Sequence, residues 1–243
     1  MEVEDLGHHI SRRFNEDLEH VRSSVLAMGG LVEEQLDRAI KALSEADSEL
    51  GLKVAEDDIK VNRMEMGIDE ECSRILATRA PTAGDLRLVI AALKTIIDLE
   101  RIGDEAEKIG VLAARLASVE RSSTNYRELR NLARHVKAMV HGALDAFARL
   151  DTKAALEVVK ADDAVDEEYE SIYRQGITFM MEDSRTISRN MDSTWMARAL
   201  ERIGDHAKNI GQYVIFMVHG KDVRHTSLED MERALHESAV ERH

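Results

Sequence analysis

The chain has 243 residues, with 33 Lys and Arg against 47 Asp and Glu, a formal net charge of −14, one proline, one cysteine and 4% aromatic residues. That charge argues against direct binding to nucleic acid or to anionic lipid, both polyanions, and favours metal cations or basic patches on other proteins. The scarcity of proline and aromatics excludes a sandwich or barrel and predicts long helices, while the lone Cys72 excludes an internal disulfide and a Cys-based zinc site and suits a reducing cytoplasm.

Apolar residues from Ile10 to Leu43 recur at spacings of three and four, which predicts a helix from about His9 to Ser44. Asp47 or Ser48 caps a second helix running to about Thr78. Pro81 and Gly84 then punctuate the chain, and Thr82 with Asp85 three positions later resembles a capping box. A third helix runs to about Ser118. Residues 120–125 are polar and read as a linker. The plan then repeats: a helix from Tyr126 to Leu150, a cap at Asp151, a helix to Met181, and a last long helix from about Glu182 to Gly220. Residues 221–243 form a polar tail, loose or with a short helix around Leu228–Val240. Short connections make neighbouring helices antiparallel. The expected fold is all-α: two tandem antiparallel three-helix bundles, with repeat 1 over 8–119 and repeat 2 over 124–220.

No basic segment followed by an apolar run opens the chain, so no signal peptide is expected. The most apolar stretch, Leu86–Leu99, is broken by Arg87, Lys94 and Asp98 and is too short to span a bilayer.

The halves share one five-residue string. Glu100-Arg101-Ile102-Gly103-Asp104 returns as Glu201-Arg202-Ile203-Gly204-Asp205, framed by matching apolar positions, which marks an internal duplication. In each copy the Glu and Asp stack on one helix face and repel, so they need a cation; Arg101 and Arg202, one position on, are expected to point elsewhere. The mid-helix glycine removes a side chain from the shared face, leaving room for an ion or another backbone. If the second and third helices turn near 80–82, Glu100 lies about 18 residues past the turn, roughly 27 Å along the axis. The same count backwards reaches Asn62, and Asp104 reaches Asp58. In the second half Asp162 and Asp166 match Glu201 and Asp205. Each half thus offers four oxygen-bearing side chains at one level, with Asn209, Glu33, Glu34 and Asp145 nearby. An oxygen-only set suits magnesium or manganese, or iron where carboxylates bridge several ions.

A lone pair of helix carboxylates is more often a solvated face; repetition at matching heights sets this one apart. Thr82, Asp85 and Arg87 form a candidate partner-binding corner, although capping alone accounts for the first two and a surface ion pair for the third. His8, His9, His206 and His219 read as ordinary polar residues. Cys72 and Trp195 read as core. No nucleophile–base arrangement is legible, nor the Glu-x-x-His motif of di-iron oxidases. A metal-dependent helical hydrolase or oxidase using the carboxylates is the alternative from another class, and a metal-free scaffold a third.

Several stretches resemble the PhoU family of phosphate-specific transport accessory proteins. They are His9-Ile10-Ser11 with Phe14-Asn15, Ala27-Met28-Gly29-Gly30-Leu31-Val32-Glu33, Pro81-Thr82-Ala83-Gly84-Asp85-Leu86-Arg87, both Leu-Glu-Arg-Ile-Gly-Asp copies, and Met180-Met181-Glu182-Asp183-Ser184-Arg185-Thr186-Ile187. The resemblance implies tandem three-helix bundles with multinuclear metal sites at Glu100/Asp104 and Glu201/Asp205, holding iron, manganese, magnesium or zinc. The second copy keeps the family's continuation at His206, Ala207 and Asn209. The first has Glu105 and Lys108 instead, so equal occupancy is not implied. The resemblance further implies a cytoplasmic, dimeric negative regulator of the phosphate-starvation response. It would link the ATPase subunit of the phosphate ABC transporter to the phosphate-sensor histidine kinase and reach the membrane only through these partners.

Overall fold

The computed structural model describes residues 3–117, 123–224 and 226–233. Among the described residues up to His219, seven helices follow one another: α1 (Val3–Glu45), α2 (Ser48–Asp57), α3 (Ile59–Arg79), α4 (Ala83–Ala117), α5 (Ser123–Arg149), α6 (Thr152–Glu182) and α7 (Ile187–His219). A single turn of 3-10 helix, Ser184–Thr186, joins the last two. No strand occurs among the described residues, and no described helix is long and apolar enough to cross a membrane.

Local chemistry sets the boundaries. Asp47 accepts a hydrogen bond from the Leu50 backbone N–H at 2.9 Å and opens α2; Asp151 accepts from Lys153 and Ala154 at 3.0 Å and opens α6. Ala46, Ala80 and Leu150 take left-handed backbone angles at the ends of α1, α3 and α5, the conformation that stops a helix and turns the chain back. The expected second helix is two: the chain breaks at Asp58, whose carbonyl takes the N–H of Val61 at 2.9 Å. Asp183, expected inside the start of the last helix, instead accepts from the Arg185 N–H and opens the 3-10 turn. Of the expected linker 120–125, residues 123–125 belong to α5; residues 118–122, the side chains of His8 and His9, and the tail beyond 233 lie outside the described residues.

In the first repeat α1 and the α2–α3 pair pack on α4; in the second α5 and α6 pack on α7. The two repeats meet along α4 and α7, with α1 touching α5. One continuous core results, from Val21, Val32 and Leu36 on α1 through Leu99, Ile102 and Ile109 on α4 to Leu200, Ile203 and Val214 on α7. Cys72 is fully buried, and burial pushes its thiol up to about 12. The tail is anchored: residues 228–233 are helical, Val223 and Met231 are buried, and Lys160 meets Glu232 at 2.8 Å. Trp195 corrects its expectation. It stands 59% exposed on α7, because it projects beside the α4–α7 seam instead of into it.

Candidate metal centre and the seam between the repeats

The first nest begins with two glycines. A Cβ on Gly110 of α4 would stand 2.6 Å from the Gly51 carbonyl oxygen of α2, so the helices touch backbone to backbone. That crossing brings the α2–α3 break onto α4. Asp58 at the break is 5% exposed; Gln35 from α1 donates to its Oδ1 at 3.0 Å and Asn62 to its Oδ2 at 3.0 Å. Across from it, a Cβ at Gly103 would lie 3.0 Å from Asp58 Oδ1 and 3.2 Å from Gln35 Oε1. The mid-helix glycine therefore makes room for a neighbouring carboxylate and amide.

Carboxylate oxygens of Asp58, Asp104 and Glu107 all lie within 4.8 Å of one another. Glu100 sits one turn before Asp104. Burial, then the Asp104 charge, raises the Glu100 carboxyl above the usual range; burial, then Asp58 and Asp104, does the same to Glu107. Among the described residues, the cation that pairs with the motif is Arg101. Contrary to expectation it turns back, reaching Glu100 at 3.4 Å and Asp104 at 3.2 Å from a half-exposed position. Two buried acceptors, Gln35 Oε1 and Asn62 Oδ1, have no hydrogen-bond partner. Three converging carboxylates, with two orphaned amide oxygens on the residues that bond Asp58, are oxygen donors of the kind a hard cation prefers.

The second nest uses the same positions with different chemistry. A shift of 101 positions carries Glu100 to Glu201 and Glu107 to Lys208; a shift of 104 carries Asp58 to Asp162 and Gln35 to Met139. Lys208 contacts the buried Asp162 directly and also feels Asp205 and Asp166. Burial opposes its charge, yet those carboxylates hold its ammonium above the ordinary value. Beside Gly204 lie Val165 and the Met139 thioether, where the first nest has Val61 and the Gln35 amide. Burial and Asp205 push Glu201 up to about 7, against the opposing charge of Arg198, which bonds it at 2.5 Å. Burial and neighbouring acids also raise Asp166 and Asp205. The second nest carries a cation of its own.

Asn209 goes elsewhere. Its amide donates to Asp98 of α4 at 3.1 Å, and His206 Nδ1 meets the same oxygen at 2.6 Å. The Tyr213 hydroxyl, raised above its usual range by burial and by Asp98, completes the set. The buried Glu105 of α4 is met by Arg202 at 2.7 Å and Lys108 at 3.0 Å. The residues that follow each repeated motif thus join the repeats to one another. Thr82 donates to Asp85 at 2.7 Å, and Arg87 donates to the Met217 carbonyl at 3.3 Å. Arg87 therefore serves the C-terminal end of α7, where a cation is favoured. Of the nearby acids, Glu33 meets His141 at 2.9 Å and Asp145 pairs with Arg149.

The structure brings Asp58, Asn62 and Asp104 together, and Asp162 with Asp205 and Asp166 around Lys208. Sequence reasoning missed Glu107, Gln35 and Lys208. Glu107 and Lys208 stand three positions after the motif's Asp, on the same helix face, so the signal was present in the spacing. Gln35 is brought in by α1 and had no local signal.

A model of the PhoU domain matches residues 25–113 and 129–214. The "Phosphate-specific transport system accessory protein PhoU homolog" of Pseudomonas putida is 52% identical over 237 residues, covering 98% of this chain and 93% of that protein. Escherichia coli "Phosphate-specific transport system accessory protein PhoU" is 46% identical over 239 residues, covering 97% of each. The crystal structure of PhoU from Pseudomonas aeruginosa superposes with a TM-score of 0.83 at 52% identity, covering 86% of this chain and 100% of that one. That of the phosphate transport system regulatory protein PhoU from Streptococcus pneumoniae gives 0.80 at 26% identity, covering 86% and 99%. With both of its repeats matched and relatives alike from end to end, this chain belongs to the PhoU family.

Proposed function

We propose that this protein is a non-enzymatic regulatory adaptor of phosphate homeostasis, holding the phosphate-starvation response off when phosphate is plentiful. The observation that carries this reading is the end-to-end likeness to relatives named as accessory proteins of the phosphate-specific transport system. In this role it is a cytoplasmic homodimer. It links the ATPase subunit of the phosphate ABC transporter to the phosphate-sensor histidine kinase and reaches the membrane through them; the corner of Thr82 and Asp85 remains the candidate contact. Deleting the gene tests the role: starvation genes should switch on in high phosphate, and normal repression in the deletion strain would overturn it.

The cofactor in this reading is a hard cation, magnesium or manganese, at the first nest. Asp58, Asp104, Glu107 and Glu100 supply charge, and the orphaned oxygens of Gln35 and Asn62 supply neutral ligands. The cation would cancel the repulsion among the carboxylates and clamp the α2–α3 break onto α4. In the second nest the Lys208 ammonium takes that place, which supports one metallated repeat and one neutralised from within.

A further inference from the structure

The two ends of the α4–α7 seam are related by the duplication, and they differ. At one end Asp98 is surrounded by His206, Asn209 and Tyr213, and Lys94 lies 5.5 Å from the Tyr213 ring and 5.4 Å from that of Phe216. That end is filled. The shift of 101 positions carries Asp98 to Ala199 and Lys94 to Trp195. Shifted back, His206, Asn209, Tyr213 and Phe216 become Glu105, Lys108, Leu112 and Arg115. At the other end, therefore, a methyl group stands where the hub carboxylate would be, and the positions equivalent to Lys94 and Phe216 hold an aromatic, Trp195 on α7, and a cation, Arg115 on α4.

The consequence is an open groove of about 580 Å³, lined by these residues together with Arg198 and Arg202. Its size is that of a small-molecule site. Four cations line it on a chain whose net charge is −14, one of them, Arg198, bonded to Glu201 at 2.5 Å. Of the carboxylates in its walls, Glu105 is 2% exposed and bonded to two of those cations, so it fixes their direction more than it presents charge. Glu107 reaches Asp58 and Asp104. Asp192 is the remaining acid. Beside the cations stands Trp195, more than half exposed. Guanidinium groups recognise phosphate oxygens, and an indole face takes a planar base in a sequence-tolerant stack.

We propose that this groove binds a nucleoside phosphate, its base on Trp195 and its phosphates toward Arg115, Arg198 and Lys108, in the place that the missing carboxylate leaves. The ligand's anion does at this end of the seam what Asp98 does at the other. The proposal does not rest on the metal reading.

Trp195 is the chain's one tryptophan, so its emission reports the groove directly. Full-length protein in EDTA, with no metal at the first nest, is titrated with ADP, inorganic phosphate and adenosine, following emission and calorimetric heat. ADP should bind at least tenfold more tightly than either fragment and change the Trp195 emission. Arg115→Gln, at the groove wall, and Ala199→Leu, which fills its floor, should each weaken ADP tenfold or more with unchanged circular dichroism. Should Ala199→Leu misfold, Arg115→Gln decides alone. No heat and no emission change with millimolar ADP, inorganic phosphate binding as tightly as ADP, or undiminished binding by folded variants would each overturn the proposal.

Discussion

Glu107 and Lys208 occupy one position in the two repeats, and their opposite charges decide what each nest needs. Around Lys208 the carboxylates already have a counter-charge, so removing it leaves Asp162 buried and uncompensated, at a cost of about 3–5 kcal/mol. Around Glu107 the extra charge adds to the repulsion. Asp104→Asn should therefore raise the melting temperature of the metal-free protein while abolishing the stabilisation that manganese gives the parent. Lys208→Glu should do the converse, lowering metal-free stability and raising the calorimetric stoichiometry from one cation to two. A stoichiometry of two in the parent would sink the assignment of one metallated repeat. Glu201 adds a pH dependence. Its folded pKa, about 7 against an ordinary 4.5, is raised mainly by burial, so the folded state holds this proton more tightly than the unfolded one. The stabilisation is complete below about pH 4.5 and is lost as pH rises through 7. Melting in EDTA between pH 5 and 8.5 should show it, and Glu201→Gln should flatten the profile.

At the scale of helices, the first nest depends on how closely α2 lies on α4. Gly51 and Gly110 permit the contact; in the second repeat the crossing is Ala155 against Gly211, with a Cβ on Gly211 3.0 Å from the Ala155 carbonyl. Gly110→Ala forces the helices apart at a point fixed by backbone on both sides. It should cost about 1–3 kcal/mol by overpacking and weaken metal binding, with chemical denaturation and calorimetry as the two measurements. This contact also marks how far the sequence could be read. The heptad-like stripes, the caps Asp47 and Asp151 and the duplicated string are local patterns, and they located most helix ends closely, although α1 begins at Val3 instead of His9, α7 at Ile187 instead of Glu182, and the expected second helix breaks at Asp58. Counting along a hairpin put Asp58 level with Asp104 because axial rise is regular. Rotation about the axis is set by non-local contacts such as Gly51 on Gly110, so the faces stayed undetermined. That is why Asn209 read as a ligand and turned out to hold Asp98. Trp195 misled for a related reason: a large apolar residue at core spacing says nothing of whether the facing helix leaves it covered.

Across the whole molecule the question is whether the repeats act as two bodies or one. Each has its own bundle, four helices in the first repeat and three in the second, yet α4 and α7 bury each other's stripes in one continuous core. The seam is also polar at chosen points, with Asp98 holding three groups of α7 and Glu105 holding Arg202. Buried groups of this kind contribute little net attraction but penalise any register in which they lose partners. The seam therefore fixes how the two nests and the groove sit relative to one another. A change at one nest can then reach the other repeat through α4 and α7 as rigid elements. Asp98→Ala tests the coupling. It strands the Tyr213 hydroxyl in a buried site, at about 1–3 kcal/mol, and takes a partner from the part-buried His206 and Asn209 at a smaller cost. The parent should unfold in one transition, with calorimetric and van't Hoff enthalpies equal. The variant should melt earlier, and its van't Hoff enthalpy should fall below the calorimetric one as the repeats begin to unfold separately. A variant that melts earlier in a single sharp transition would mean that the apolar seam alone holds the repeats together, leaving Asp98 a contributor to stability and not to their coupling.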